Sequence, residues 1–362
     1  MLNSKVLDIS YKTVIKESLK RFSETGLVQI LTAGGFARNE GAFYDEGGLK
    51  VPINDLDIYL VFKDKKPSEE EIRKAAKAMT GKIRQRLGLS KKRKEKTSFF
   101  SFKDDFFVDL HAVKIKELSR PLPLIRFWEM TKNHQPIWGV KKNLMKSIKQ
   151  SEIPYSEGVR FLANQLTIPL RFCLQPEPTV EALYFLNRTW TSYATTLLLL
   201  KRKLEPNYLD RAKVLKQNYQ KWYPKLAEQL PDLANQVYRA SKFKLKPDFS
   251  NLKQLDKLNK QTIKAGVVVY DYFLESWLKG ESRKDNLAKL KIAYYQGYLK
   301  SPLLAWLANI YLGLTGNQSL VSTDISLFRQ LPRLLEKGLN NKKDIVSYLA
   351  LFEKAKKVRE RF

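Results

Sequence analysis

The sequence predicts an α+β protein: an N-terminal α/β domain with a small mixed sheet, followed by a mainly α-helical domain. Three observations carry this expectation. Strand-like runs rich in β-branched and aromatic residues gather in the first third, at Leu27–Thr32, Ile53–Phe62, Thr97–Lys103 and Phe106–Val113. Helical periodicity precedes and interrupts those runs. From about residue 155 nearly every segment reads as amphipathic or buried helix, punctuated by Pro176, Pro178, Pro206, Pro231, Pro247 and Pro302. The expected division is 1–120 for the α/β domain, 121–154 for a proline-interrupted connector, and 155–362 for the helical domain.

Taken in order, residues 3–25 carry Val6, Ile9, Val14, Ile15, Leu19 and Phe22 at helical spacing, and Gly26 is the expected stop. A strand at Leu27–Thr32 then runs into Ala33-Gly34-Gly35. Pro67-Ser68-Glu69-Glu70-Glu71 opens a helix to about Leu87, with Ser68 as N-cap and acids in the first turn, where the helix dipole favours them. The connector holds Trp128 and Pro136-Ile137-Trp138-Gly139. No fixed-period repeat is present.

Composition narrows the function. Of 362 residues, 66 are Lys or Arg against 37 acidic, a formal net charge of +29, which points to a polyanionic partner. Residues 1–150 hold 31 basic and 18 acidic residues and residues 151–362 hold 35 and 19, so the excess belongs to a broad surface and not to a basic tail. Cys173 is the only cysteine, which excludes an intrachain disulfide and a thiolate zinc site. With His111 and His134 the only histidines, a metal would be a hard cation on carboxylates. The charged start of the chain (Lys5, Asp8, Lys12, Lys16) and the shortness of every apolar run suggest a cytoplasmic protein with no transmembrane segment.

Three motifs carry chemistry. In Thr32-Ala33-Gly34-Gly35-Phe36-Ala37-Arg38, adjacent glycines allow close approach of the backbone to a phosphate, and Arg38, about one helical turn on, offers a forked cationic donor. In Asn54-Asp55-Leu56-Asp57-Ile58-Tyr59-Leu60, strand alternation puts Asp55, Asp57 and Tyr59 on one face and Leu56, Ile58 and Leu60 on the other. Two carboxylates at that spacing stand roughly 6–7 Å apart at Cα. They can converge on divalent ions about 4 Å apart, as in-line phosphoryl transfer requires. In Phe106-Phe107-Val108-Asp109-Leu110-His111, Asp109 is a single acid inside an apolar strand, whose burial calls for a metal or a basic partner. His111 shares the face of Asp109 and reads as a structural histidine, while Asp104 and Asp105 read as solvated loop acids.

In this order the three motifs resemble those of the polymerase-beta-like nucleotidyltransferase superfamily: a hydrophobic Gly-Gly turn, an Asp-x-Asp strand, then a third acid. The resemblance covers roughly residues 25–115, and Gly34-Gly35-Phe36-Ala37-Arg38-Asn39-Glu40-Gly41 is similar to a poorly characterised bacterial subgroup. It implies that Asp55, Asp57 and Asp109 bind two magnesium ions, that Asp109 helps deprotonate an acceptor hydroxyl, and that Gly34 and Gly35 hold the triphosphate of a nucleoside triphosphate. One departure is the interval of 19 residues between Gly35 and Asp55, longer than the family pattern. The extra length falls around Asp45-Glu46-Gly47-Gly48, which is suited to a hairpin.

The expected activity is transfer of a nucleoside monophosphate to a hydroxyl, with pyrophosphate leaving. The positive charge makes RNA the natural acceptor and disfavours cationic acceptors such as aminoglycosides. The alternative is a non-catalytic nucleic-acid-binding protein on the same scaffold. Lys91–Lys96 is a candidate phosphate-contacting loop, and Lys242-Phe243-Lys244-Leu245-Lys246 a candidate base-stacking segment.

Overall fold

The computed structural model describes residues 5–46, 49–53, 55–89, 107–174, 179–249, 252–279, 330–331, 334 and 342–359. The expected strand Thr97–Lys103, the basic loop Lys91–Lys96, and Asp104 and Asp105 lie outside the described residues. The protein is α+β, with one small mixed sheet and many helices. It divides into two compact units. The first comprises Met1–Ile153 with two short returns of the chain, Pro206–Tyr208 and Lys242–Asp248; the second holds the rest.

In the first unit, α1 (Lys5–Phe22) gives way to a short 3-10 turn at Ser23–Thr25, closed by Gly26 at φ +79°. There follow β1 (Leu27–Thr32), α2 (Gly34–Ala37), β2 (Phe43–Glu46), β3 (Leu49–Pro52) and β4 (Leu56–Phe62). After these come α3 (Glu69–Arg86), β5 (Val108–Lys114), α4 (Ile115–Leu118), α5 (Ile125–Asn133) and β6 (Gln135–Gly139). The Ser68 hydroxyl accepts from Glu71 N, and the Glu71 carboxylate accepts from Ser68 N at 2.8 Å, a reciprocal capping box that fixes the start of α3. The long interval before Asp55 is taken up by β2 and β3, an antiparallel pair in which Glu46 stands opposite Leu49.

The sheet order is β5-β4-β1-β6. β1 runs antiparallel to β4 and β6, and β4 runs parallel to β5. Strand alternation sorts the side chains into two layers. Leu56, Ile58, Leu60 and Phe62 pack with Leu27, Ile30, Val14 and Phe22 and with Ile72, Ala75, Met79 and Ile83, which places α1 and α3 on one face. On the other face Leu31, Ala33, Tyr59 and Val61 pack with Leu118, Met130 and Met145 from α4, α5 and the segment after β6. Residues 121–154 thus supply more than a link, because β6 completes the sheet as an edge strand. Pro136 is tolerated there because an edge position leaves one side of the ladder unpaired.

The described part of the second unit is helical: α6 (Tyr155–Leu174), α7 (Val180–Leu200), α8 (Tyr208–Trp222, whose first residue belongs to the first unit), α9 (Pro224–Gln229), α10 (Leu233–Leu245, whose last turn belongs to the first unit), α11 (Leu255–Leu278) and α12 (Lys342–Arg359). α6, α7 and α11 pack on one another. Their core holds polar groups with partners: Trp190 Nε1 donates to Thr262 Oγ1 at 2.8 Å, and Tyr193 Oη donates to Thr262 O at 2.5 Å. Among the described residues no helix is long and apolar enough to cross a membrane.

Candidate metal centre

Sheet register brings the acids together. Across the parallel pair, Asp57 stands beside Asp109 and Tyr59 beside His111. Neighbouring strands run about 4.8 Å apart, so two carboxylates at matched positions on one face must meet. A one-residue slip would turn Leu56, Ile58 and Leu60 out of the α1–α3 layer, so burial of those side chains fixes the register and with it the acidic pair. Asp55 lies one residue before β4, whose first residue is tied down by Leu56 N donating to Phe107 O at 3.0 Å. One carboxylate oxygen from each of Asp55, Asp57 and Asp109 lies within 4.8 Å of the others.

The glycine turn reaches the same end of the sheet because β1 is antiparallel to β4. Thr32 stands opposite Ile58, and Ala33 N donates to Asp57 O at 2.9 Å. Gly34 follows at φ +66°, and a Cβ there would lie 1.8 Å from Asp57 Oδ2. Its backbone therefore rests against the Asp57 carboxylate, and no larger residue fits without moving that group. Glu40 N donates to Gly35 O at 2.8 Å and closes the turn.

Burial first, then the charges of Asp55 and Asp109, against the opposing charges of His111 and Arg38, together push the Asp57 carboxyl up to about 7. Three acids held this close repel one another, and a divalent cation is the simplest group to neutralise them. An all-carboxylate donor set suits a hard ion such as Mg2+, so the residues present fit the metal implied by their pattern. His111 Nε2 lies 3.2 Å from Asp109 Oδ2, and its ring stacks on Tyr59 with centroids 4.8 Å apart. The histidine thereby forms one wall beside Asp109.

Arg38 is placed differently from the expectation of a phosphate-facing donor. It is 8% exposed, with Nε 2.9 Å from Glu40 Oε2 and Nη1 3.0 Å from Glu129 Oε2 on α5. Burial works against its charge, but Glu129, Tyr208 and Glu40 more than offset this and hold it firmly protonated. Glu40 also accepts from Tyr208 N at 2.5 Å. The Tyr208 ring lies under the Arg38 guanidinium (5.1 Å) and the Lys244 ammonium (3.5 Å). Lys244 is 3% exposed, so the expected stacking segment Lys242–Lys246 turns this lysine inward. Arg38 touches Asp57 through its field, lowering the carboxyl's pKa, while its forked donors serve two carboxylates.

Sequence reading passed over Glu129 and Tyr208, and met Glu40 and Lys244 only as members of longer segments, without the role they take here. Glu40 carried a faint signal, two residues from Arg38; Glu129, Tyr208 and Lys244 are brought in from more than 90 residues away, and nothing local marks them. No family model, curated protein or solved structure matches this chain at a significant level.

Proposed function

We propose that the first unit is a magnesium-dependent nucleotidyltransferase of the polymerase-beta type, moving a nucleoside monophosphate from a nucleoside triphosphate to a hydroxyl acceptor, with RNA the acceptor favoured by the net charge of +29. The single observation that carries the reading is the meeting of one oxygen each from Asp55, Asp57 and Asp109 within 4.8 Å, on two strands beside a glycine turn. In it, Asp55, Asp57 and Asp109 would hold two magnesium ions. Bound magnesium would offset the charge of the phosphates and of the leaving pyrophosphate.

The remaining roles belong to the chain. Asp109, at the margin of the cluster and 39% exposed at its side chain, is the group suited to take the proton of an incoming hydroxyl. Gly34 and Gly35 would present backbone to the phosphate oxygens, with the Cβ side of Gly34 taken up by the Asp57 carboxylate. Arg38 holds the turn through Glu40 and Glu129. Catalysis of this kind rests on positioning and charge and needs no protein nucleophile.

The test is incubation of the protein with each α-labelled nucleoside triphosphate, magnesium and total cellular RNA. Label should pass to RNA in the wild type and not in Asp55→Asn or Asp57→Asn. Full incorporation by both variants would remove the reading. Salt-sensitive RNA binding without incorporation under any condition would replace it with a binding scaffold.

A further inference from the structure

One face of α11 carries cations that no fold requirement explains. Lys257, Lys260 and Lys264 on the helix, with Lys253 in the turn before it, are all exposed. At 3.6 residues per turn the three helical lysines fall within an arc of about 60°. The opposite face, with Leu255, Asn259, Thr262, Ile263 and Gly266, is buried. Among the described residues none of the four lysines has an ion-pair partner. Some exposed lysines elsewhere are paired, Lys12 with Asp8, Lys74 with Glu70 and Lys213 with Asp210, and others such as Lys16 and Lys77 stand singly among the described residues; what sets the α11 lysines apart is that they lie in one row.

The arrangement also works against the helix. Lys257 sits in the first turn, where the dipole disfavours a cation, and the last turn has no basic residue at all. Lys253, Lys257, Lys260 and Lys264 follow one another at three- and four-residue intervals, so each repels the next. Between Lys253 and Lys264 the sequence holds one acid, Asp256. A stripe that costs helix stability and makes no ion pair among the described residues is best accounted for by a ligand of opposite charge.

We propose that this stripe is a track for the phosphate backbone of single-stranded RNA. Lysines one turn apart repeat about every 5.4 Å, for a total run of roughly 16 Å, and a row of point charges without an acidic partner follows an extended polyanion without reading its sequence. The inference deepens the proposed function by naming where the acceptor lies on the helical unit, and it rests on that reading only for calling the RNA an acceptor.

The test is made on the full chain carrying Asp57→Asn, so that binding is measured without turnover. Anisotropy of a fluorescein-labelled twenty-nucleotide oligouridine is followed across a salt series. Reversing Lys257, Lys260 and Lys264 to Glu removes three phosphate contacts, which should flatten the plot of log K against log salt by about 2. Reversal of Arg73, Lys74 and Lys77 on α3 changes net charge equally and should leave the slope within about 0.5 of its starting value. Lys→Gln at the three α11 positions should leave Tm unchanged or raise it. An unchanged slope, an equal effect of both reversals, or no RNA binding by the parent protein overturns the track. So does a fall in Tm in the Gln variant, or loss of binding to phosphatidylserine vesicles but not to RNA. Loss of RNA binding on reversal, in a protein that incorporates no label when Asp57 is intact, would keep the track and reject the enzyme.

Discussion

Gly34→Ala separates the backbone's need for glycine from the site's need for it. Two glycines of the first unit share nearly the same dihedral: Gly34 at φ +66° and Gly88 at φ +67°. An alanine at either position pays a left-handed penalty of about 1–2 kcal/mol. The surroundings differ. At Gly88 an added Cβ meets nothing within 4 Å, whereas at Gly34 it lies 1.8 Å from Asp57 Oδ2 and 2.8 Å from Asp57 Cγ. Contacts under 3.0 Å are essentially never made by a real Cβ, so the carboxylate must retreat by more than 1 Å. On the proposed function, a misplacement of that size would cost catalysis about 100-fold. Both variants should lose a similar few degrees of Tm, about 2–4 °C per kcal/mol for a unit of this size. On the proposed reading, manganese binding, followed by the loss of the free-ion EPR signal, should weaken at least about tenfold in Gly34→Ala, since the displaced carboxylate would be a ligand of the ion. It should be unchanged in Gly88→Ala. Equal metal affinity in the two variants would refute the argument that Gly34 exists to admit the Asp57 side chain.

Other consequences are as direct. Asp57 has a folded pKa of about 7, above its unfolded value, so its contribution to stability is complete below about pH 4 and is lost as pH rises through 7. Stability without metal should therefore fall between pH 5 and pH 8 by an amount on the order of a few kcal/mol, read as a lower Tm, with Mg2+ restoring it at pH 8 and Asp57→Asn abolishing the slope; a flat profile in metal-free wild type would contradict the crowding of the three acids. Glu40→Ala should destabilise by about 3 kcal/mol, because it takes a carboxylate from the buried Arg38 and an acceptor from Tyr208 N. Lys12→Ala, which breaks an exposed pair with Asp8, should stay within about 0.5 kcal/mol, both variants being measured by urea titration. Gly266→Ala puts a Cβ 2.4 Å from Leu166 Cδ2 and 3.1 Å from Tyr193 Oη, and the overpacking should outweigh the gain in helix propensity by about 1–2 kcal/mol. A rise in Tm would mean that α6 and α11 can part without cost.

What the sequence disclosed follows from how local each cause is. β1 falls at Leu27–Thr32 as expected, because an apolar run bounded by Gly26 and the Gly34-Gly35 turn leaves little choice. Ser68 caps α3 through contacts no further than Glu71. The two faces of β4 were legible from alternation alone. β6 was not legible: its Pro136 and short, half-exposed run read as an interruption, and only β1 beside it makes it a strand. The role of Arg38 was hidden for a related reason. Its position after the glycine turn suggested a free donor, but the carboxylate that takes its Nη1 lies 91 residues away on α5.

The acidic cluster stands between these cases. Each acid was conspicuous by itself, as an Asp in a strand environment that disfavours it, yet only the resemblance, and nothing in strand periodicity, made Asp57 and Asp109 neighbours. An antiparallel pairing of β4 with β5 would set their polar ends at opposite edges of the sheet. The parallel pairing, reached by a crossover that includes α3, sets Asp57 beside Asp109 and carries the Tyr59–His111 stack with it. Since α3 also supplies Ile72, Ala75, Met79 and Ile83 to the layer that fixes the register of β4, the crossover that stabilises the sheet is the same element that assembles the acids. On the proposed reading, loosening α3 at a buried position remote from the acids should therefore weaken metal binding along with stability, because the cluster is a property of the fold as much as of its three carboxylates.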